Sequence, residues 1–296
     1  MNDRRSPLAP LLVTTLVMIF VLVVWGGVVR LSGSGLAIPD WPLAEGKFLP
    51  RPHPNVLIEY IHRALAGTVG LLTVVVAFVL YRDPTWRPRL GGWMAVALAV
   101  LALQVFIGGR VVLEELPVDR VVTHLLLAFA FFATLLYITM RVQDGPEGRS
   151  RTSDARARGL SLWAAIASFL VLGQVALGGW VSSSGAALAC LDFPTCHGSW
   201  LPKMEGLVGI HYAHRLGAYT VTLVVLSMLV RSASVALPSK ARWVLRFSGI
   251  LLGLQFALGV GNVLLRLPLP VSAAHLGTAL MLFGSLRIAS HELSRA

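Results

Sequence analysis

Four histidines stand at intervals that two copies of one plan would produce. His62 and His214 are 152 residues apart and each precedes an arginine, Arg63 and Arg215; His124 and His275 are 151 apart. All four fall in long apolar stretches, about four to nine residues from one end, or roughly 10 Å below a membrane surface at 1.5 Å per residue. Ionisable side chains inside a span are costly and usually functional. Two neutral imidazoles at one level on facing helices form a suitable axial pair for haem iron. A hydrogen bond between helices would explain one such histidine equally well; four at repeat-related positions point to ligation by His62 with His124 and by His214 with His275. Zinc is the weaker reading, because each level offers two histidines and no nearby cysteine or carboxylate quartet.

Around these ligands the halves differ. Glu59 lies three residues before His62, and the matching position before His214 is His211. A carboxyl group one turn from an iron ligand could exchange protons with a reacting group, or simply pair with Arg63 four residues on. His211 is read as a hydrogen-bonding group near the haem edge. Arg63 and Arg215 suit haem propionates, with snorkelling toward the helix end as the alternative. His53, His197 and His291 fall in loops or the tail, where solvated roles are expected.

The elements that position these residues follow from composition. The 296-residue chain is 56% apolar and 13% charged, the balance of a membrane protein. Eight stretches are long enough to cross a bilayer as helices: about 8–30, 55–81, 91–113, 119–141, 160–182, 206–230, 242–265 and 270–290. The first follows Arg4 and Arg5, but Pro7 to Val29 is too long for a signal-peptide core and no A-x-A-like site follows. With the N-terminus inside, sixteen of the 25 Lys and Arg residues fall on the cytoplasmic side, which places both termini there and the histidines near the outer face. The net charge of +11 reflects these topology signals. No basic stripe with interleaved aromatics suggests nucleic acid.

The repeat extends beyond the histidines. The 152-residue shift lays Gly26-Gly27 on Gly178-Gly179, Asp40 on Asp192, Pro42 on Pro194, Gly46 on Gly198 and Leu49-Pro50 on Leu201-Pro202; the 151-residue shift lays Gln104 on Gln255 and Gly108 on Gly259. Four spans per half is an even number, so both halves enter the membrane in the same direction. The expected fold is an all-α integral membrane protein with eight transmembrane helices, arranged as two pseudo-symmetric four-helix bundles in a parallel repeat. The halves are 1–142 and 159–296, joined by an Arg-rich cytoplasmic linker at 143–158. Gln104 and Gly108, Gln174 and Gly178, and Gln255 and Gly259 share a Gln-x-x-x-Gly spacing. Small residues there let helices or a flat macrocycle approach closely; ordinary helix packing explains the spacing equally well, and no site is assigned.

The segment Gly26-Gly27-Val28-Val29-Arg30-Leu31-Ser32-Gly33-Ser34-Gly35-Leu36, then Pro39-Asp40-Trp41-Pro42 and Glu59-Tyr60-Ile61-His62-Arg63, closely resembles the heme A synthase family over nearly the whole chain. The resemblance implies an enzyme of the cell membrane that oxidises a methyl group of haem O to a formyl group, giving haem A for terminal oxidases. By that likeness His62 and His124 hold the substrate haem O with Glu59 beside its reacting edge, and His214 and His275 hold a haem b that passes electrons. Bis-imidazole iron has no vacant position for dioxygen, so either one histidine leaves or the methyl group loses electrons and is captured by water. Implied partners are a haem O synthase that delivers substrate and an unidentified electron donor or acceptor; the oligomeric state is left open.

The cysteines depart from the family pattern. Members often carry a pair in the first outer loop, where this chain has Ile38 and Ala44; its two cysteines, Cys190 and Cys196, occupy the equivalent positions in the third. An oxidising outer compartment favours a disulfide between them. Two other classes fit less well. A diheme electron carrier would find Glu59 dispensable, and a transporter would place polar groups at midplane.

Overall fold

A computed structural model describes residues 7–43, 46–47 and 51–296. Arg4, Arg5, Ala44, Leu49 and Pro50, used above for topology and the repeat, lie outside the described residues. The described chain is α-helical: α1 Leu8–Leu31, α2 Pro54–Arg82, α3 Arg87–Leu113, α4 Val118–Gln143, α5 Ala155–Ser183, α6 Gly206–Ser232, α7 Ser239–Leu264 and α8 Leu269–Leu293, with a 3-10 turn at Ala186–Leu188. All eight α-helices are long and apolar enough to cross a membrane, and the chain is a multi-pass membrane protein. The expected spans agree within five residues at every end. The largest difference is at α5, which starts inside the polar linker because Asp154 accepts a hydrogen bond from Arg156 N at 2.8 Å and caps the helix.

Exposed apolar side chains cover the helices, among them Leu71, Phe169, Val230 and Ile250. In water such a surface would aggregate; against lipid tails it loses nothing. The chain divides into two compact units, Met1–Leu116 with Leu127–Arg149, and Pro117–Leu126 with Ser150–Ala296.

In the first unit, α1 packs on α2 and α2 on α3, and the Trp25 indole donates to Ile58 O at 2.9 Å. In the second, α8 packs against both α5 and α7, and α5 against α6. Polar contacts tie α8 in place: Ser161 and Ser290 each donate to the other's backbone carbonyl, and Ser248 donates to Ser285. Between α7 and α8 the chain reverses through Arg266 and Leu267, both left-handed (φ 58° and 60°), with Leu267 N bonded to Asn262 O at 2.8 Å. Side chains in that conformation cost about 1–2 kcal/mol per residue. The short reversal matters because it sets residues near the end of α7 level with residues near the start of α8.

Candidate functional site

Each of three histidine rings rests on a glycine of the preceding helix. A Cβ added at Gly178 (α5) would stand 2.9 Å from His214 Cε1 (α6), one at Gly259 (α7) 3.2 Å from His275 Cε1 (α8), and one at Gly26 (α1) 3.0 Å from His62 Cε1 (α2). A Cβ at Gly178 would force the ring edge to shift, and at Gly26 and Gly259 the ring would have to give by a few tenths of an ångström. Glutamines complete two cradles: Gln174 Nε2 is 2.9 Å from His214 Nδ1, and Gln255 Nε2 is 3.3 Å from His275 Nε2. His124 sits on α4, in the stretch Pro117–Leu126 that groups with the second unit.

On either side of His62 in α2, Glu59 and Arg63 anchor the loop between α1 and α2. Arg63 Nη1 donates to Asp40 O and Leu43 O at 2.7 and 2.8 Å, and Nη2 donates to Ile38 O at 2.9 Å. Buried Glu59 takes Nη2 of the same guanidinium at 2.6 Å and, through Oε2, Ile38 N at 2.8 Å. The ion pair read as the simpler option for Glu59 is present, and it leaves the carboxylate fixed between loop and helix.

The loop between α5 and α6 is held in the same manner. Arg215 donates to Thr195 O, Cys190 O and Asp192 O at 2.7, 3.0 and 2.9 Å, the carbonyls that correspond to Leu43, Ile38 and Asp40 at the 152-residue shift. His211 Nδ1 lies 2.9 Å from Ala186 O, which ties α6 to the 3-10 turn. With the Nη groups engaged by the loop, Nε of Arg215 remains buried without a hydrogen-bond partner. Cys190 and Cys196 sit at disulfide distance with Cα atoms 4.9 Å apart. Asp192, outside the spans, accepts from the Thr195 hydroxyl and from the Gly198 and His197 amides, which hold its carboxyl well below the usual carboxylate range.

A family profile described as cytochrome oxidase assembly protein, COX15-CtaA, matches residues 9–287, a span that takes in both loops, all three cradles and His124. The chain belongs to the COX15-CtaA family. Among curated relatives of this COX15-CtaA chain are the heme A synthase of Shewanella oneidensis, 31% identical with 93% of each chain covered, and that of Nitrosospira multiformis, 29% identical over 98% of this chain and 94% of the relative. The heme A synthase of Symbiobacterium thermophilum is 29% identical over 83% of this chain and 84% of its own.

For a COX15-CtaA chain the question is whether these residues fit a haem. In the second unit they do. His214 and His275 supply two imidazoles, His275 Nδ1 is buried without a partner, and the glycine cradles would be filled by any Cβ. No group of three or more His, Cys, Asp or Glu that could hold a bare metal ion occurs among the described residues. The histidine spacing alone does not reveal the cradles, although the sequence carries a signal for them. Gly26 precedes His62 by 36 residues, as Gly178 precedes His214, and Gly108 precedes His124 by 16, as Gly259 precedes His275.

Proposed function

We propose that the chain is a heme A synthase, a membrane oxidoreductase that converts a methyl group of haem O to the formyl group of haem A. What carries the reading is the asymmetry of the repeat: equivalent imidazole cradles at His62 and His214, with a loop-anchored carboxylate beside the first and the imidazole of His211 beside the second. The likeness to the heme A synthases of three bacteria supports it.

His214 and His275 hold a haem b, which supplies one-electron redox capacity when bound. Arg215 Nε and His211 offer polar contacts at its edge. The repeat pairs His62 with His124 as counterparts of His214 and His275, and the likeness to heme A synthases assigns that pair to the substrate haem O. Glu59 and Arg63 belong beside that substrate. Each of two rounds replaces one methyl C–H with C–OH, taking the oxygen from water and releasing two electrons to the external electron acceptor together with two protons, one of which Glu59 would accept; the resulting geminal diol loses water to leave the aldehyde. Cys190 and Cys196 form a disulfide that closes the third outer loop. The haems lie near the outer face of the cell membrane, with both termini cytoplasmic. A haem O synthase delivers the substrate, and an electron partner remains to be identified.

Expression with a haem O source, followed by chromatography and mass analysis of the extracted haems, tests this reading. Haem A together with haem b is the expected result. Haem b alone, with haem O unconverted by a folded and haem-loaded protein, would overturn it in favour of a diheme electron carrier.

A further inference from the structure

Helix α5 carries a device that the first repeat lacks. Gln174 Nε2 donates to the backbone carbonyl of His214 at 2.7 Å and lies 2.9 Å from Nδ1 of the same residue. The amide fits there because residue 217 is glycine: a Cβ at Gly217 would overlap Gln174 Oε1. One turn along α5, Gly178 seats Cε1 of the same ring. The helix thus holds His214 by its carbonyl, by Nδ1 and by the ring edge, and Nε2 is the nitrogen the amide does not engage.

At the 152-residue shift Gly178 and His214 read Gly26 and His62, but Gln174 and Gly217 read Leu22 and Leu65. Two apolar side chains stand where the second half has an amide and the space for it. Helix packing therefore does not require the amide. Retaining it has a cost, since Gln174 Oε1 is buried without a partner, worth about 1–3 kcal/mol for such a group. A function must offset that.

We propose that Gln174, seated by Gly217, is a positioning residue that orients the His214 imidazole for iron and serves as the partner of its outer nitrogen. This rests on the reading of His214 as a haem ligand. An imidazole bound to iron through Nε2 carries its proton on Nδ1 and needs an acceptor there. The two ends of an amide are nearly isosteric, so Gln174 turned over, with its side chain shifted to clear the His214 carbonyl that Nε2 holds at 2.7 Å, presents the unpartnered Oε1 to Nδ1. The carbonyl it releases lies within α6 and keeps its helical hydrogen bond.

The test uses the full-length haem-loaded protein, with haem content, the low-spin ferric signal in electron paramagnetic resonance and the midpoint potential as readouts. Gln174→Leu with Gly217→Leu reproduces the pair that the first half already packs. It is expected to weaken haem retention by about 10–100-fold, the usual effect of losing an outer-shell partner, and to raise the potential of the haem that remains. Gln174→Glu, a stronger acceptor, is expected to retain haem and lower the potential. Opposite shifts identify a hydrogen bond to the ligand, which a packing role would not produce. Unchanged haem and potential in both variants, or shifts of one sign, would overturn the proposal. His214→Ala separates the two failures. If it keeps the full haem content, the ligand assignment falls and the proposal with it; if it loses haem while both Gln174 variants behave as wild type, the proposal alone falls.

Discussion

Glu59→Gln is expected to abolish haem A formation while haem b stays bound. The carboxylate is buried and holds both Ile38 N and Arg63, so removing it could act through chemistry or through the loop. Glutamine separates these routes. Its Oε1 can still accept from Ile38 N, and Arg63, whose ion pair is lost because the amide nitrogen now faces Nη2, keeps its three loop carbonyls, so the loop keeps most of its anchors while the proton acceptor is gone. Positioned acid–base groups contribute about 10²–10⁴ in rate, and a loss of that size in haem A per bound haem O is the expected outcome. Glu59→Ala should lose as much activity and also loosen the first outer loop, since an unpaired Ile38 N–H costs about 1–3 kcal/mol. Near-normal haem A from Glu59→Gln would remove the residue from the reaction and leave it a loop anchor.

Filling the second cradle should produce the complementary defect. In Gly178→Leu the Cβ alone would stand 2.9 Å from His214 Cε1, and the rest of the side chain must enter the space of the ring. Displacing the imidazole should lower haem b retention by at least the 10–100-fold typical of disturbed ligand support, with about 1–3 kcal/mol of overpacking strain. Gly173→Ala is the control on the same helix, because nothing lies within 4 Å of its added Cβ. Absorbance of the purified variants reads the result. Equal haem content in Gly178→Leu and Gly173→Ala would show that the glycine serves helix packing and not the ligand.

Much of the architecture is legible in the amino-acid sequence. Apolar length fixes the spans, because backbone in lipid must bond within its own helix, and duplication marks His62, His124, His214 and His275 as a set. The cradles leave a trace in the sequence only as repeated Gly-to-His separations, and within one half they are not legible, for a physical reason. Residues 178 and 214 meet across the whole of the loop between α5 and α6, and a glycine near a helix end looks the same whether it admits a neighbouring helix or a ring. The arginines are harder still. Their partners are carbonyls of Ile38, Asp40, Leu43, Cys190, Asp192 and Thr195, and every residue type carries a carbonyl. Side-chain identity suggests propionates, whereas the curled loop already supplies acceptors. The left-handed Arg266 and Leu267 give no local warning either, since neither residue type favours that conformation.

Three positions separate the two halves most clearly: 59 against 211, 22 against 174, and 65 against 217. The first places a carboxylate beside one imidazole only. The others place an amide beside the second imidazole only. A substrate must enter and leave, while an electron-transfer group must stay, and the second half is the one with the added grip on its ligand.

The most direct measurement of that division is the identity of the haem lost from each half. His62→Ala and His214→Ala should be expressed in full length with a haem O source, and the bound haems extracted and identified by chromatography and mass. His62→Ala is expected to keep haem b and to lose haem O and haem A; His214→Ala is expected to lose haem b. Loss of the same haem from both variants, or haem b lost from His62→Ala and kept by His214→Ala, would contradict the account.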